Sequence, residues 1–89
     1  MNDHSYIKTQ HELAKNIRTI RDGLDLKQYE IADFLNIDSS TYSCYETGKT
    51  LPSIFTLIKL SEFFCTKIET LLLKDGGDLF LSINHTHKN

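Results

Sequence analysis

Lys27-Gln-Tyr-Glu-Ile-Ala-Asp-Phe-Leu-Asn-Ile-Asp-Ser-Ser-Thr-Tyr-Ser-Cys-Tyr-Glu46 is the stretch on which the reading of this chain turns. Its apolar residues recur at helical spacing on either side of Asn36, which predicts two short helices joined by a tight turn. Ile31, Phe34 and Leu35 form the expected buried stripe of the first, and Ala32 is small where another helix must approach. Lys27 is a poor N-cap, so Asp25 with Gln28 three residues on is the candidate capping box. Asn36 tolerates the left-handed backbone that a sharp turn needs. Asp38 is the expected cap of the second helix, with Ile37 and Tyr42 as a hydrophobic staple. Gly48 stops that helix.

Working outward, Thr9-Gln10-His11-Glu12 reads as a capping box. Leu13, Ala14, Ile17, Ile20 and Leu24 then predict a helix from about Gln10 to Asp22, loosened at Gly23. Residues before Thr9 form either a frayed arm or an extra turn. On the other side, Leu51-Pro52-Ser53 is a stop followed by a cap. Ile54, Leu57, Ile58, Ser61 and Phe64 mark the apolar face of a fourth helix. Thr66-Lys67-Ile68-Glu69 is a further capping box and predicts a short fifth helix to about Leu73, with Lys74 at its C-terminal dipole end. Asp75-Gly76-Gly77-Asp78 ends helical structure. Leu79-Phe80-Leu81-Ser82-Ile83 has strand character, and would either pack back on the core or pair with a second copy.

The expected fold is all-α, a compact five-helix bundle. Residues 1–8 are an N-terminal arm, 9–74 the helical domain and 75–89 a C-terminal extension. A chain of 89 residues holds one small core, and 39% hydrophobic with 25% charged residues is ordinary globular composition. No apolar run is long enough to span a bilayer and the polar start lacks a signal-peptide pattern, which points to a cytoplasmic protein without a membrane partner. Cys44 and Cys65 lack metal-ligand spacing and are read as reduced thiols; His85-Thr86-His87 is read as a tail, so no metal or cofactor is expected. No catalytic constellation accompanies them, so the chain is not read as an enzyme. The net charge of -2 weighs against strong nonspecific DNA binding.

Two short helices held at a fixed angle are the means by which small domains place a helix in the major groove of DNA. Lys15 to Leu72 resembles the Cro/C1-type (XRE-like) helix-turn-helix regulators, the family with the lambda repressor-like fold. Arg21, Gln28, Ile31, Ala32, Leu35, Asn36, Ile37, Tyr42, Tyr45, Glu46-x-Gly48-Lys49 and Pro52-Ser53 carry the resemblance. It implies that Gln28 meets a DNA phosphate, and that Ser39, Ser40, Ser43 and Cys44 occupy the base-reading positions. It also implies that Thr41, Lys49 and Thr50 lie near the DNA backbone, and that Arg21 and Glu46 form an internal ion pair. Tyr42 and Tyr45 hold core positions, and Tyr29 lies on the outer side of its helix.

The chain departs from that family in particular places. Lys27 and Lys67 stand where Ser or Thr usually caps, Cys65 where Gly, Asn or Asp closes the fourth helix, and Cys44 where Arg, Lys or Gln is common. The expected function is a sequence-specific regulator of transcription, a repressor, binding double-stranded DNA as a homodimer with its third helix in the major groove. The alternative is a protein-interaction module on the same scaffold, antitoxin-like or an anti-regulator, with a protein partner and weakened or lost DNA binding.

Overall fold

A computed structural model describes residues 3–73, with side chains from Ile7 onward. Five α-helices follow one another: α1 (Asp3–Gly23), α2 (Gln28–Leu35), α3 (Ser39–Thr47), α4 (Ile54–Phe64) and α5 (Ile68–Leu72). The third helix packs on both α1 and α2, while α5 closes the other side of α1 and α4 bridges α5 to α2. The C-terminal Leu79–Ile83 segment and the His85/His87 tail lie outside the described residues.

One core joins all five helices. Leu13 and Ile17 of α1, Ile31 and Ala32 of α2, and Tyr42 and Tyr45 of α3 meet Leu57, Leu60 and Phe64 of α4 and Leu71 of α5. Burial of such side chains contributes about 1.5–3 kcal/mol each, which is why helices this short persist.

Three helices, α2, α3 and α4, each end on a left-handed residue. Asn36 (φ 60°, ψ 45°) ends α2, and the Ile37 N–H donates to the Ala32 carbonyl at 3.0 Å. Gly48 (φ 80°) ends α3, where an added Cβ would lie 3.1 Å from His11 Cδ2. Its carbonyl also accepts from Gln10 Nε2 at 2.6 Å, which fastens the end of α3 to α1. Cys65 (φ 51°, ψ 45°) ends α4 in the conformation that Gly or Asn adopts with less strain. Cys65→Gly is therefore expected to raise stability by about 1 kcal/mol, a small upward shift of the urea midpoint.

Where helices begin, the structure corrects the sequence reading. Of the two alternatives for the residues before Thr9, residues 3–8 continue α1 as further helical turns and do not form the frayed arm; they contain no Gly or Pro to interrupt it. The Thr9–Glu12 box thus falls inside the helix, where the backbone N–H groups are already committed. Asp25 does not cap α2 but takes a left-handed conformation in the preceding turn (φ 59°). The N-cap is Lys27, whose N–H donates to the Glu30 carboxylate at 2.8 Å. Asp38 and Lys67 stand at the N-cap positions of α3 and α5 without a side-chain cap, and Thr66 Oγ1 donates to the Phe64 carbonyl instead. Ser53 does cap α4, accepting from the Thr56 N–H at 3.2 Å.

The apolar faces also shift. Leu24 is exposed at the end of α1, and Phe34 is exposed on α2, its ring 4.7 Å from that of Phe63. In α4 the core side is Leu57, Leu60 and Phe64, while Ile54 and Ile58 face outward. Apolar residues occur all round this helix, so spacing alone does not select the side that α2 and α5 cover.

A buried polar clamp that periodicity passes over holds α5. Asn16 on α1 is buried, and its Nδ2 donates to the carbonyls of Leu71 and Leu73 at 2.8 Å each, with Thr70 at 3.3 Å. Carbonyls at the end of a helix have no partner within it, so Asn16 closes α5 from the side.

Candidate nucleic-acid interface

The α3 sequence Ser-Ser-Thr-Tyr-Ser-Cys-Tyr-Glu-Thr divides into two faces. Tyr42, Tyr45 and Glu46 turn inward and are buried, the two rings meeting edge to face at 6.1 Å. Ser39, Ser40 and Thr41 are exposed, and Ser43 and Cys44 half-buried, on the opposite side. Thr47, one turn beyond Ser43 and seven residues from Ser40, shares this outer surface. Sequence reading missed it, although the same i, i+7 spacing identifies it. Lys49 and Thr50 are exposed in the turn that follows. Seven hydroxyl- or thiol-bearing residues and one lysine thus line α3 and its exit, with no bulky side chain among them.

The inner face is fixed by the Glu46 carboxylate, which accepts four hydrogen bonds. Arg21 Nε donates to Oε2 at 2.6 Å and Arg21 Nη2 to Oε1 at 3.0 Å, a two-pronged ion pair between α1 and α3. Tyr42 Oη donates to Oε2 at 2.6 Å and Gln28 Nε2 to Oε1 at 3.0 Å. Arg21 Nη1 continues to the Leu26 carbonyl at 2.7 Å, in the turn between α1 and α2. The carboxylate consequently ties α3 to α1, to the start of α2 and to the turn between them.

Ionisation follows from this arrangement. Burial pushes the Glu46 pKa up, but the bonds from Arg21, Tyr42 and Gln28 outweigh it and hold the group below its ordinary value of 4.5. Burial, then the bond to Glu46, pushes the Tyr42 hydroxyl well above its ordinary range, so it remains a donor. The hydrogen bond to Glu46 raises Arg21 in turn. A fully satisfied buried charge pair fixes geometry more than it adds stability, because desolvation offsets much of the attraction.

Gln28 stands at the first position of α2, with its side-chain nitrogen on Glu46. That internal bond was not legible from the chain, where Gln28 pointed only toward phosphate. An amide nitrogen carries two hydrogens, so one remains beyond the bond to Glu46. Asp25, Glu30, Asp33 and Asp38 are exposed around the same turn and helix, as are Lys27 and Tyr29. Among the described residues there is no group of three or more His, Cys, Asp or Glu able to hold a metal, and no helix is long and apolar enough to cross a membrane.

Known proteins share this architecture. A helix-turn-helix family model matches residues 17–71. The chain is 34% identical over 59 residues to the cryptic phage CTXphi transcriptional repressor RstR of Vibrio cholerae, an alignment covering 66% of this chain and 53% of that protein. The chain thus spans about half the length of that curated relative. A transcriptional regulator from Listeria innocua, known from its crystal structure, superposes with a TM-score of 0.67 at 27% identity, over 90% of this chain and 79% of that one. The matched segment contains the whole helix-turn-helix with its Arg21–Glu46 pair, and the chain belongs to the Cro/C1-type helix-turn-helix family, whose members are DNA-binding transcription regulators and not enzymes.

Proposed function

We propose that this chain is a repressor that binds double-stranded DNA as a homodimer, each copy laying α3 in the major groove. The observation that carries the reading is the two-sided α3. One side is locked to α1 and α2 through Glu46. The other presents only small polar groups at the surface. A rigid helix with a shallow outer face can approach base edges closely without displacing side chains of its own.

In this arrangement Ser39, Ser40, Ser43, Cys44 and Thr47 face the bases, and Thr41, Lys49 and Thr50 face the sugar-phosphate backbone. Gln28 directs its second amide hydrogen, with the N–H groups opening α2, at a phosphate. Hydroxyl groups donate or accept at any base, whereas a bidentate Arg–guanine or Gln–adenine contact gives about 1–3 kcal/mol of discrimination. Specificity must then come from the spacing of two half-sites, about one helical turn or ~34 Å apart, and from DNA shape.

Few cations serve each interface, so binding depends only shallowly on salt, since the slope follows the number of phosphates neutralised. Lys49→Ala is expected to weaken binding to all duplexes alike and to lower the salt slope by about one per copy. Fluorescence anisotropy of a labelled duplex across a salt series checks this. An unchanged slope for Lys49→Ala, or a wild-type slope as steep as that of a strongly basic repressor, contradicts the arrangement.

A further inference from the structure

In the α4 sequence Ile-Phe-Thr-Leu-Ile-Lys-Leu-Ser-Glu-Phe-Phe apolar residues recur all round the helix, interrupted by Thr56, Lys59, Ser61 and Glu62, so more than one side offers apolar surface to cover. The fold covers only the side bearing Leu57, Leu60 and Phe64. Ile54 and Phe55 are each 66% exposed and Ile58 is 41% exposed, at i, i+1 and i+4 of the same helix. Lys59 lies 5.7 Å from the Phe55 ring centroid and 5.9 Å from that of Phe34, which is itself exposed. The patch therefore extends from the start of α4 toward α2.

We propose that this outer face of α4, centred on Ile54, Phe55 and Ile58, is where a second copy of the chain docks. The proposal rests on the two-copy DNA reading above and supplies its interface. Charge is the first argument for a second copy over another partner. The face carries one exposed carboxylate, Glu62, and one half-buried ammonium, Lys59. It thus has no excess of either sign to attract an acidic or a basic peptide, or to repel its own image. A two-fold interface sets the same patch against itself, which an apolar, charge-balanced face satisfies.

Position is the second argument. The exposed residues open α4 immediately after the Gly48–Ser53 link that leaves α3. Joining two copies there holds their α3 helices at a fixed separation, as reading two half-sites requires.

Size sets the strength. Three part-exposed side chains supply a few hundred Å² at most, against about 800 Å² per partner in a standard interface. The free pair is accordingly weak, associating at roughly micromolar concentrations or above, and two half-sites on one duplex complete it.

Sedimentation equilibrium of the full chain, alone and on duplexes with one or two half-sites recovered by selection, tests the proposal. The comparison is with Ile54→Ser/Phe55→Ser and with Phe55→Ser alone. Both positions lie outside the core, and thermal melting verifies that the fold is kept. The wild type should self-associate with rising concentration and bind two half-sites cooperatively. The variants should remain monomeric, bind a single half-site as the wild type does, and lose at least about tenfold in cooperativity.

Variants that pair as the wild type does overturn the proposal. So does a wild type that stays monomeric both free and on the two-site duplex, since the face is then covered by the chain's own C-terminal residues or by another protein. If the wild type pairs through this face but no duplex is bound, the interface stands and the DNA reading fails.

Discussion

Glu46→Leu is expected to lower folding stability by about 3 kcal/mol, because it leaves the half-buried Arg21 guanidinium without its main counter-charge. Gln28 and Tyr42 lose an acceptor in the same step. The exposed Asp22 carboxylate, 3.3 Å from Arg21 Nη1, offsets only part of the loss. Arg21→Met combined with Glu46→Leu should recover much of it, since neither charge is then stranded. Urea unfolding of the four proteins of this cycle measures the coupling. A single substitution costing less than about 1 kcal/mol would show that the network does not hold α3 in place.

The same carboxylate sets a pH dependence of definite sign. Its pKa is lowered in the folded chain, so its contribution is complete above its ordinary value of 4.5 and is lost as pH falls through the lower folded value. The stability gap between wild type and Glu46→Leu should thus narrow on acidification below about pH 4.5 and stay constant at neutral pH.

Ser40→Glu carries the second large effect, on binding instead of folding. Ser40 is exposed on the outer face of α3, away from the Glu46 network. In the proposed complex a carboxylate there would face base acceptors and phosphates, and such like-charge juxtaposition costs several kcal/mol, an affinity loss of about 100-fold or more. Stability should change by no more than about 0.5 kcal/mol, since the position is on the surface and acidic groups suit the first turn of a helix. Anisotropy titration beside a thermal melt separates the two readouts. Retained affinity would place the interface elsewhere on the molecule.

The parts of the fold that local chemistry dictates were legible in the chain. Asn36 had to supply a left-handed turn and Gly48 to stop α3, and both do. Ser53 had to cap α4 after Pro52, and its side chain does so. Asp38 stands at the N-cap of α3 as expected, though its side chain makes no capping bond, whereas the boxes assigned to Thr9, Asp25 and Thr66 failed because a capping pattern specifies a helix start only if the helix begins there. The long α1 and the left-handed Asp25 moved those starts. The orientation of α4 was hidden for another reason: with apolar residues on every side, packing against α2 and α5, not periodicity, selects Leu60 over Ile54 and Ile58.

The site divides in the same way. The polar outer residues of α3 follow from their spacing relative to Tyr42 and Tyr45. The Arg21–Glu46 pair spans 25 positions, and only the family resemblance pointed to it. The roles of Gln28 and the Tyr42 hydroxyl at Glu46, and of Asn16 at the end of α5, depend on how three helices converge. No local pattern encodes such convergence. Thr47 was within reach of helical spacing, because it extends the face of Ser40 and Ser43 by one turn.

Selection of bound sequences from random duplex DNA, at near-physiological salt and with Ser40→Ala/Ser43→Ala beside the wild type, tests most directly whether α3 reads DNA. The wild type should enrich a two-fold symmetric motif with half-sites about one helical turn apart. The double variant should relax the preference at the positions under α3 while keeping the spacing. No enrichment by the wild type, or an identical motif from both proteins, would contradict DNA reading by α3.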